Sequence, residues 1–215
     1  YAANVTDQDF IDPPDNMEAD FSTSFTAWVD NCTLPYTPIY EVQGSGAESP
    51  YKGMTVALEG TGVGDFQNNT SPDSGNLNGF HVQDPLGDSD VLTSDGIFIY
   101  YPSGSTNVVV GDEVRVSGLV SEYNGMTEVT VSRLWICSSN SSVSPTPVEL
   151  PVTAIEDFER YEGMLITFPQ ALVISEYFNY DRYGEMVLGL PLDGESRLFT
   201  PTAVVEPGAP ALERA

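Results

Sequence analysis

The chain has 215 residues, 40% of them hydrophobic, which is enough to bury one large core or two small ones. Its 32 acidic residues outnumber seven basic ones and give a formal net charge of −25, which argues against binding to phosphate backbones. No run of about 18 apolar residues occurs, which excludes a membrane-spanning helix. The 19 Gly and 16 Pro favour short strands joined by turns.

Residues 1–40 carry scattered aromatic side chains without a clean periodicity, and acidic residues fill the gaps between them. This pattern predicts an extended N-terminal segment that docks on the main body through its aromatic rings. A turn region follows in residues 41–50, and residues 51–60 are then predicted to form a strand.

Residues 79–101 are predicted to form two strands joined by an acidic loop. Phe80 and Val82 alternate with polar neighbours, and residues 97–100 are β-branched or aromatic. The loop concentrates four carboxylates, those of Asp84, Asp88, Asp90 and Asp95. Carboxylate oxygens are preferred ligands of calcium, so we hypothesise a structural calcium site here, although the spacing departs from an EF-hand loop. The alternative is a solvated acidic turn.

Residues 111–131 give the clearest hairpin pattern. Alternating apolar residues lead to Asn124-Gly125, a pair typical of a type I′ turn, and alternation resumes after it. Gly118 in mid-strand predicts a bulge or sharp bend, which helps a small sheet curl. We therefore predict an all-β fold with minor helix, in which residues 41–137 form an OB-fold-like Greek-key barrel.

A Ser/Pro-rich linker, residues 138–152, is predicted to separate this barrel from a second β-rich unit, residues 153–215. The unit should open with a short helix over residues 153–163, capped by Thr153 and Glu156 and stopped at Gly163. Strands are expected near 164–176, 184–190 and 196–200. The tail lacks a closing hairpin, so the second unit is predicted to be partial and to leave an edge that needs covering.

The two cysteines, Cys32 and Cys137, are either buried thiols or a disulfide. We favour the disulfide because the chain has the character of a secreted protein. It would tie the N-terminal segment to the end of the barrel and close a loop of about 100 residues.

The sequence lacks the motifs of common catalytic machinery. Its one histidine, His81, has no G-x-S-x-G element to accompany it, and a strand histidine is more often a packed or rim residue than a catalyst. No P-loop, H-E-x-x-H or paired C-x-x-C motif occurs. We therefore predict that the chain is not an enzyme.

Several segments together resemble a known family, the N-terminal, non-catalytic region of large bacterial secreted nucleases. They are Gln43–Gly46, Gly79–Asp84, Thr93–Phe98, Gly111–Gly118, Asp157–Met164, Arg182–Glu185 and Leu198–Pro201. In that family an OB-fold domain and a β-rich region precede a catalytic domain of the endonuclease/exonuclease/phosphatase type. The resemblance spans about residues 40 to 205 and implies a fold and a secreted location. None of the family's catalytic residues falls in this chain.

Three functions are compatible with these patterns. The first is a secreted, non-catalytic scaffold module. The second is a self-assembling, filament-like extracellular subunit that joins copies of itself by strand addition. The third is single-strand nucleic-acid binding, for which an OB barrel needs a basic groove beside its aromatic rings. Few cations are available for such a groove, and the candidates for nucleic-acid binding are Lys52, Arg115 and Arg133.

Overall fold

The computed structural model describes residues 31–67, 76–102, 104–183, 185–192 and 194–214. The described residues from Asn31 onward belong to one compact unit. Most of the predicted N-terminal segment, residues 1–30, lies outside them. The described part is all-β with short helices, as predicted. None of its helices has the length and hydropathy needed to cross a bilayer.

The barrel strands run from Thr55 to Ser138. They are β1 (Thr55–Phe66), β2 (Gly79–Gln83), β3 (Gly96–Tyr100), β4 (Glu113–Tyr123) and β5 (Met126–Ser138). The remaining strands are β6 (Thr146–Pro147), β7 (Ile166–Thr167), β8 (Val173–Glu176) and β9 (Val187–Gly189). The α-helices are α1 (Ile39–Gln43), α2 (Tyr180–Tyr183), α3 (Pro201–Val204) and α4 (Ala209–Glu213).

The first five strands form a closed barrel in the order β1-β2-β3-β5-β4. Strand β1 pairs with both β2 and β4, which closes the sheet on itself. Every neighbouring pair is antiparallel except β3 and β5, which run parallel. The predicted strand–loop–strand unit over 79–101 is the β2–β3 pair, so that prediction is confirmed.

Two local features of the β4–β5 hairpin also match the sequence prediction. Asn124 and Gly125 both have positive φ, at 52° and 82°, as a type I′ turn requires. The register shifts between Ser117 and Gly118, which places a bulge where the mid-strand glycine predicted one. A Cβ atom at Gly118 would lie 2.3 Å from the carbonyl oxygen of Thr130, so this close approach excludes any side chain.

The barrel core consists of alternating inward side chains, including the fully buried Leu58, Phe80 and Ile99. Helix α1 adds Ile39 and Val42, both 0% exposed, to the same core. This helix was not predicted, because its range spans the end of the expected extended segment, residues 1–40, and the start of the expected turn region, residues 41–50. Five residues are too few for a periodic pattern, and burial against the barrel, not helix propensity, stabilises so short a helix.

The C-terminal region holds two separate pairs of short strands, β6 with β7 and β8 with β9. Residues 196–200, all of them described, form no strand, so that prediction is wrong. The helix expected at 153–163 is a 3₁₀ helix, Ile155–Tyr161. Its N-cap is Ala154, not the predicted Thr153, and the partner inside the helix is Asp157, not Glu156. The Asp157 Oδ2 atom accepts hydrogen bonds from the Thr153 and Ala154 amides, both at 3.0 Å. Gly163 follows the C-cap residue Glu162 and has a φ of 71°, as expected of a helix stop.

Candidate functional site

The acidic loop between β2 and β3 is folded by its own carboxylates. Asp84 Oδ1 accepts hydrogen bonds from the amides of Leu86 and Gly87, at 2.9 and 3.2 Å. Asp88 Oδ1 accepts a hydrogen bond from the Asp90 amide at 2.8 Å, and Asp90 Oδ1 accepts one from the Leu92 amide at 3.0 Å. These three side chains therefore stabilise successive turns of the loop.

Asp95 differs from these three carboxylates in having a buried oxygen atom, Oδ1, without a hydrogen-bond partner among the described residues. Burial raises the pKa of Asp95, and the negative charges of Asp88 and Asp84 raise it further. A cation would relieve this repulsion. Across the described parts of the chain, however, no three His, Cys, Asp or Glu side chains converge as metal ligands do. The calcium site at Asp84, Asp88, Asp90 and Asp95 therefore stays a prediction.

Cys32 and Cys137 form the predicted disulfide, with their Cα atoms 5.6 Å apart and a sequence separation of 105. It joins a 3₁₀ turn, Asn31–Thr33, to the end of β5. In the chain-entropy model, a loop of about 100 residues stabilises the folded state by about 4–5 kcal/mol.

Arg115 lies beside this disulfide and is only 3% exposed. Its guanidinium donates to Glu59 Oε2 at 2.6 and 3.0 Å and to the carbonyl oxygens of Leu34 and Cys32. It also stacks over the Tyr36 ring, 4.7 Å from the ring centroid. These contacts fix residues 32–36 against β1 and β4, so Arg115 has a structural role in the anchoring of this segment.

The other two cations named for nucleic-acid binding lie in different surroundings. Lys52 is exposed and pairs with Glu48 at 2.7 Å, and Arg133 is exposed on β5. With Arg115 buried, the three cations do not form one exposed basic face. Their assignment to nucleic-acid binding stays a prediction.

His81 is packed between aromatic rings on the outer face of β2. Its ring lies 5.7 Å from that of Phe66 and 4.9 Å from that of Phe98, measured between centroids. Burial lowers the pKa of His81, while a hydrogen bond to the backbone of Gly163 opposes that shift. The imidazole is therefore a packing and docking group, which agrees with the sequence-based interpretation.

Glu162, which the sequence analysis did not single out, forms the centre of a junction between the barrel and the C-terminal region. Its Oε1 accepts a hydrogen bond from the Thr127 amide at 2.8 Å and one from Gln43 Nε2 at 3.2 Å. Its backbone carbonyl accepts one from Ser94 Oγ at 2.6 Å. Burial raises the pKa of Glu162 to about 7, although the bonds from Thr127 and Gln43 oppose the shift.

The junction continues over the next three residues, so that residues 162–165 lie along the barrel. The Leu165 amide donates to Gln83 Oε1 at 2.8 Å. Gly96 and Gly163 approach so closely that a Cβ atom on Gly96 would lie 2.5 Å from the carbonyl carbon of Gly163. No sequence motif signals these contacts, because their partners lie between 35 and 119 residues away.

Comparisons with known proteins give no family for the chain. No family model matches it, and no curated protein does. Seven chains of solved structures match. One of them, described as OBody AM1L10 bound to hen egg-white lysozyme, is 18% identical over 41% of this chain and 83% of its own, with a TM-score of 0.28.

Proposed function

We propose that the chain is a secreted, non-catalytic β-scaffold module related to the N-terminal region of extracellular nucleases. The strand order β1-β2-β3-β5-β4, with a parallel β3–β5 pair, supports an OB-fold-like barrel as its first part. The disulfide supports an oxidising, extracellular location.

The observation that carries this proposal is the junction at residues 162–165. A scaffold must hold the neighbouring part of the chain in a fixed orientation, and a flexible linker would not do so. Here four groups form hydrogen bonds to this one short segment: a side chain of α1, one of β2, one of the β2–β3 loop and a backbone amide of β5. The barrel thereby sets the position of the chain as it enters the C-terminal region.

The test of the non-catalytic function is an assay of the purified chain for nuclease and phosphatase turnover. Plasmid DNA, single-stranded DNA and a phosphomonoester are incubated with the protein and magnesium, manganese or calcium. We expect no turnover above a matched blank. The proposal would be contradicted by turnover that persists after a further purification step and that a single substitution in the chain abolishes without unfolding it. Such a loss would show that the turnover belongs to this protein and not to a contaminant.

A second candidate function, self-assembly by strand addition, is favoured by the β8–β9 pair. Among the described residues this sheet has two strands, so each strand has one edge that pairs with no other described strand. Its side chains include the exposed Ile174, Val187 and Leu188, which are 45–51% accessible. A two-stranded sheet is marginally stable alone, so an added strand from a second copy would both extend it and cover these side chains.

Light scattering across a concentration series tests this second function. We expect the mass to rise with concentration, and we expect Ile174→Lys to reduce the rise more than Ile155→Lys does. Both variants add one positive charge at an exposed isoleucine, but Ile155 lies on the 3₁₀ helix outside the sheet. A strictly monomeric protein, or equal effects of both variants, would contradict strand addition.

Nucleic-acid binding, the third function, has the weakest support. The net charge of −25 opposes it, and Arg115 is engaged with Glu59. A salt-dependent mobility shift with single-stranded DNA would revive it.

A further inference from the structure

A groove on the outer face of the barrel combines aromatic walls with a buried carboxylate. It has a volume of about 380 Å³ and lies between β3, the tip of the β4–β5 hairpin and residues 76–78. This volume falls within the range of about 300–1,000 Å³ typical of small-ligand sites. The functions proposed above do not use it.

Glu128 supplies the carboxylate of this groove. It lies on β5 in register with Phe98 of β3 and is only 9% exposed. Among the described residues it forms no ion pair, and it accepts one hydrogen bond, from Ser121 Oγ to Oε1 at 3.3 Å. Burial raises the pKa of its carboxyl, since the charged form loses hydration without gaining a cation.

Aromatic and aliphatic side chains make up most of the remaining lining. Phe98 and Tyr100 come from β3, Tyr123 and Met126 from the hairpin tip, and Leu77 from the segment before β2. Tyr123 and Leu77 are 62% and 50% exposed, so the groove is open to solvent. Aromatic faces attract cations through their negative quadrupole, and the apolar edges suit an aliphatic stem.

We propose that this groove binds an alkylammonium group, such as a lysine side chain, with the ammonium on Glu128 and the stem between Tyr100 and Tyr123. An ammonium is a point charge that needs one carboxylate oxygen, and Oε2 accepts no hydrogen bond from a described residue, whereas Oε1 already accepts one from Ser121. Phosphate is excluded by the carboxylate. The net charge of −25 attracts any such cation to the surface.

The probe is Nα-acetyl-lysine methylamide, titrated into the full chain and monitored by NMR. Its neutral counterpart, Nα-acetyl-norleucine methylamide, carries nearly the same stem without the charge. We expect the lysine probe to shift the Glu128 and Tyr123 signals saturably. We expect the norleucine probe to bind at least about tenfold more weakly, because it cannot make the charge-assisted hydrogen bond to the carboxylate.

Two variants separate this site from general attraction to a negative protein. Glu128→Gln and Glu156→Gln each remove one negative charge, but Glu156 is an exposed residue of the 3₁₀ helix. We expect Glu128→Gln to weaken binding roughly tenfold and Glu156→Gln to leave it unchanged. Tyr123→Ala, which removes an exposed wall of the groove and keeps Glu128, should also weaken binding and stands as the test if Glu128→Gln fails to fold.

Three results would overturn the inference: no saturable shift with the lysine probe, equal binding of the norleucine probe, or equal weakening by Glu128→Gln and Glu156→Gln. In the last case the protein would attract cations without holding them at this groove. None of these results bears on whether the chain has catalytic turnover, so the scaffold function is tested separately.

Discussion

Gln43 Nε2 lies 3.2 Å from the Glu162 carboxylate, across a sequence separation of 119 residues. The same amide nitrogen also donates to the Gly96 carbonyl at 2.6 Å. One glutamine of α1 thus bonds both to the start of β3 and to the segment that enters the C-terminal region. The strength of this contact depends on the protonation state of Glu162.

Glu162→Gln should make the stability of the protein less dependent on pH. Burial raises the pKa of Glu162 from its ordinary value of 4.5 to about 7 in the folded protein. Between pH 4.5 and pH 7 the folded state therefore keeps the carboxyl proton that the unfolded chain has lost. The stabilisation due to this proton is fully present below pH 4.5 and is lost as the pH rises through 7. Glutamine keeps a neutral acceptor for Thr127 and Gln43 at every pH.

Denaturant unfolding at several pH values checks this prediction. Relative to the unmodified protein, the Gln variant should gain stability between about pH 4.5 and about pH 7 and level off above that, since over this interval the carboxyl ionises in the unfolded chain but stays protonated in the folded one. Glu156→Gln, an exposed change on the 3₁₀ helix, is the control and should track the unmodified profile. Parallel profiles for the Glu162 variant and the unmodified protein would show that the carboxyl is not buried as described.

Arg115→Met should destabilise the protein by about 3–5 kcal/mol, because it leaves Glu59 without its cation and two backbone carbonyls without their donor. Arg133→Met removes the same charge from an exposed position and should change stability by less than about 0.5 kcal/mol. Equilibrium unfolding of both variants measures the difference. Equal, small effects would mean that Arg115 does not anchor residues 32–36.

Calcium is expected to raise the melting temperature, since a ligand that binds only the folded state stabilises it. The increase should be lost in Asp88→Asn, a change in the acidic loop, and kept in Asp181→Asn, an exposed change in α2. Thermal unfolding with calcium and with a chelator provides the measurement. An unchanged melting temperature would remove the calcium hypothesis and leave the loop as a solvated turn.

The parts of the fold that the sequence predicted are those specified by local chemistry. Asn124-Gly125 predicted its turn because few other pairs tolerate two positive φ values. Gly118 predicted its bulge because a mid-strand glycine signals close backbone approach, here to Thr130. The disulfide was predicted from the presence of two cysteines together with the expectation of a secreted protein.

The parts that the sequence did not predict depend on distant contacts. Helix α1 exists because Ile39 and Val42 fill the barrel core, which no five-residue pattern reveals. Glu162 is one of 32 acidic residues, and only the fold places it against Thr127 and Gln43. Glu128 was equally inconspicuous, because its burial comes from the parallel pairing of β3 with β5.

Native-state hydrogen exchange tests most directly whether the barrel holds residues 162–165 as a scaffold must. The reporter is the Leu165 amide, which bonds to Gln83 Oε1, and the reference is Val116 at the centre of β4. We predict that both amides exchange only through the same global unfolding, with equal opening free energies. Exchange of Leu165 through a separate, low-energy opening while Val116 stays protected would contradict the scaffold proposal.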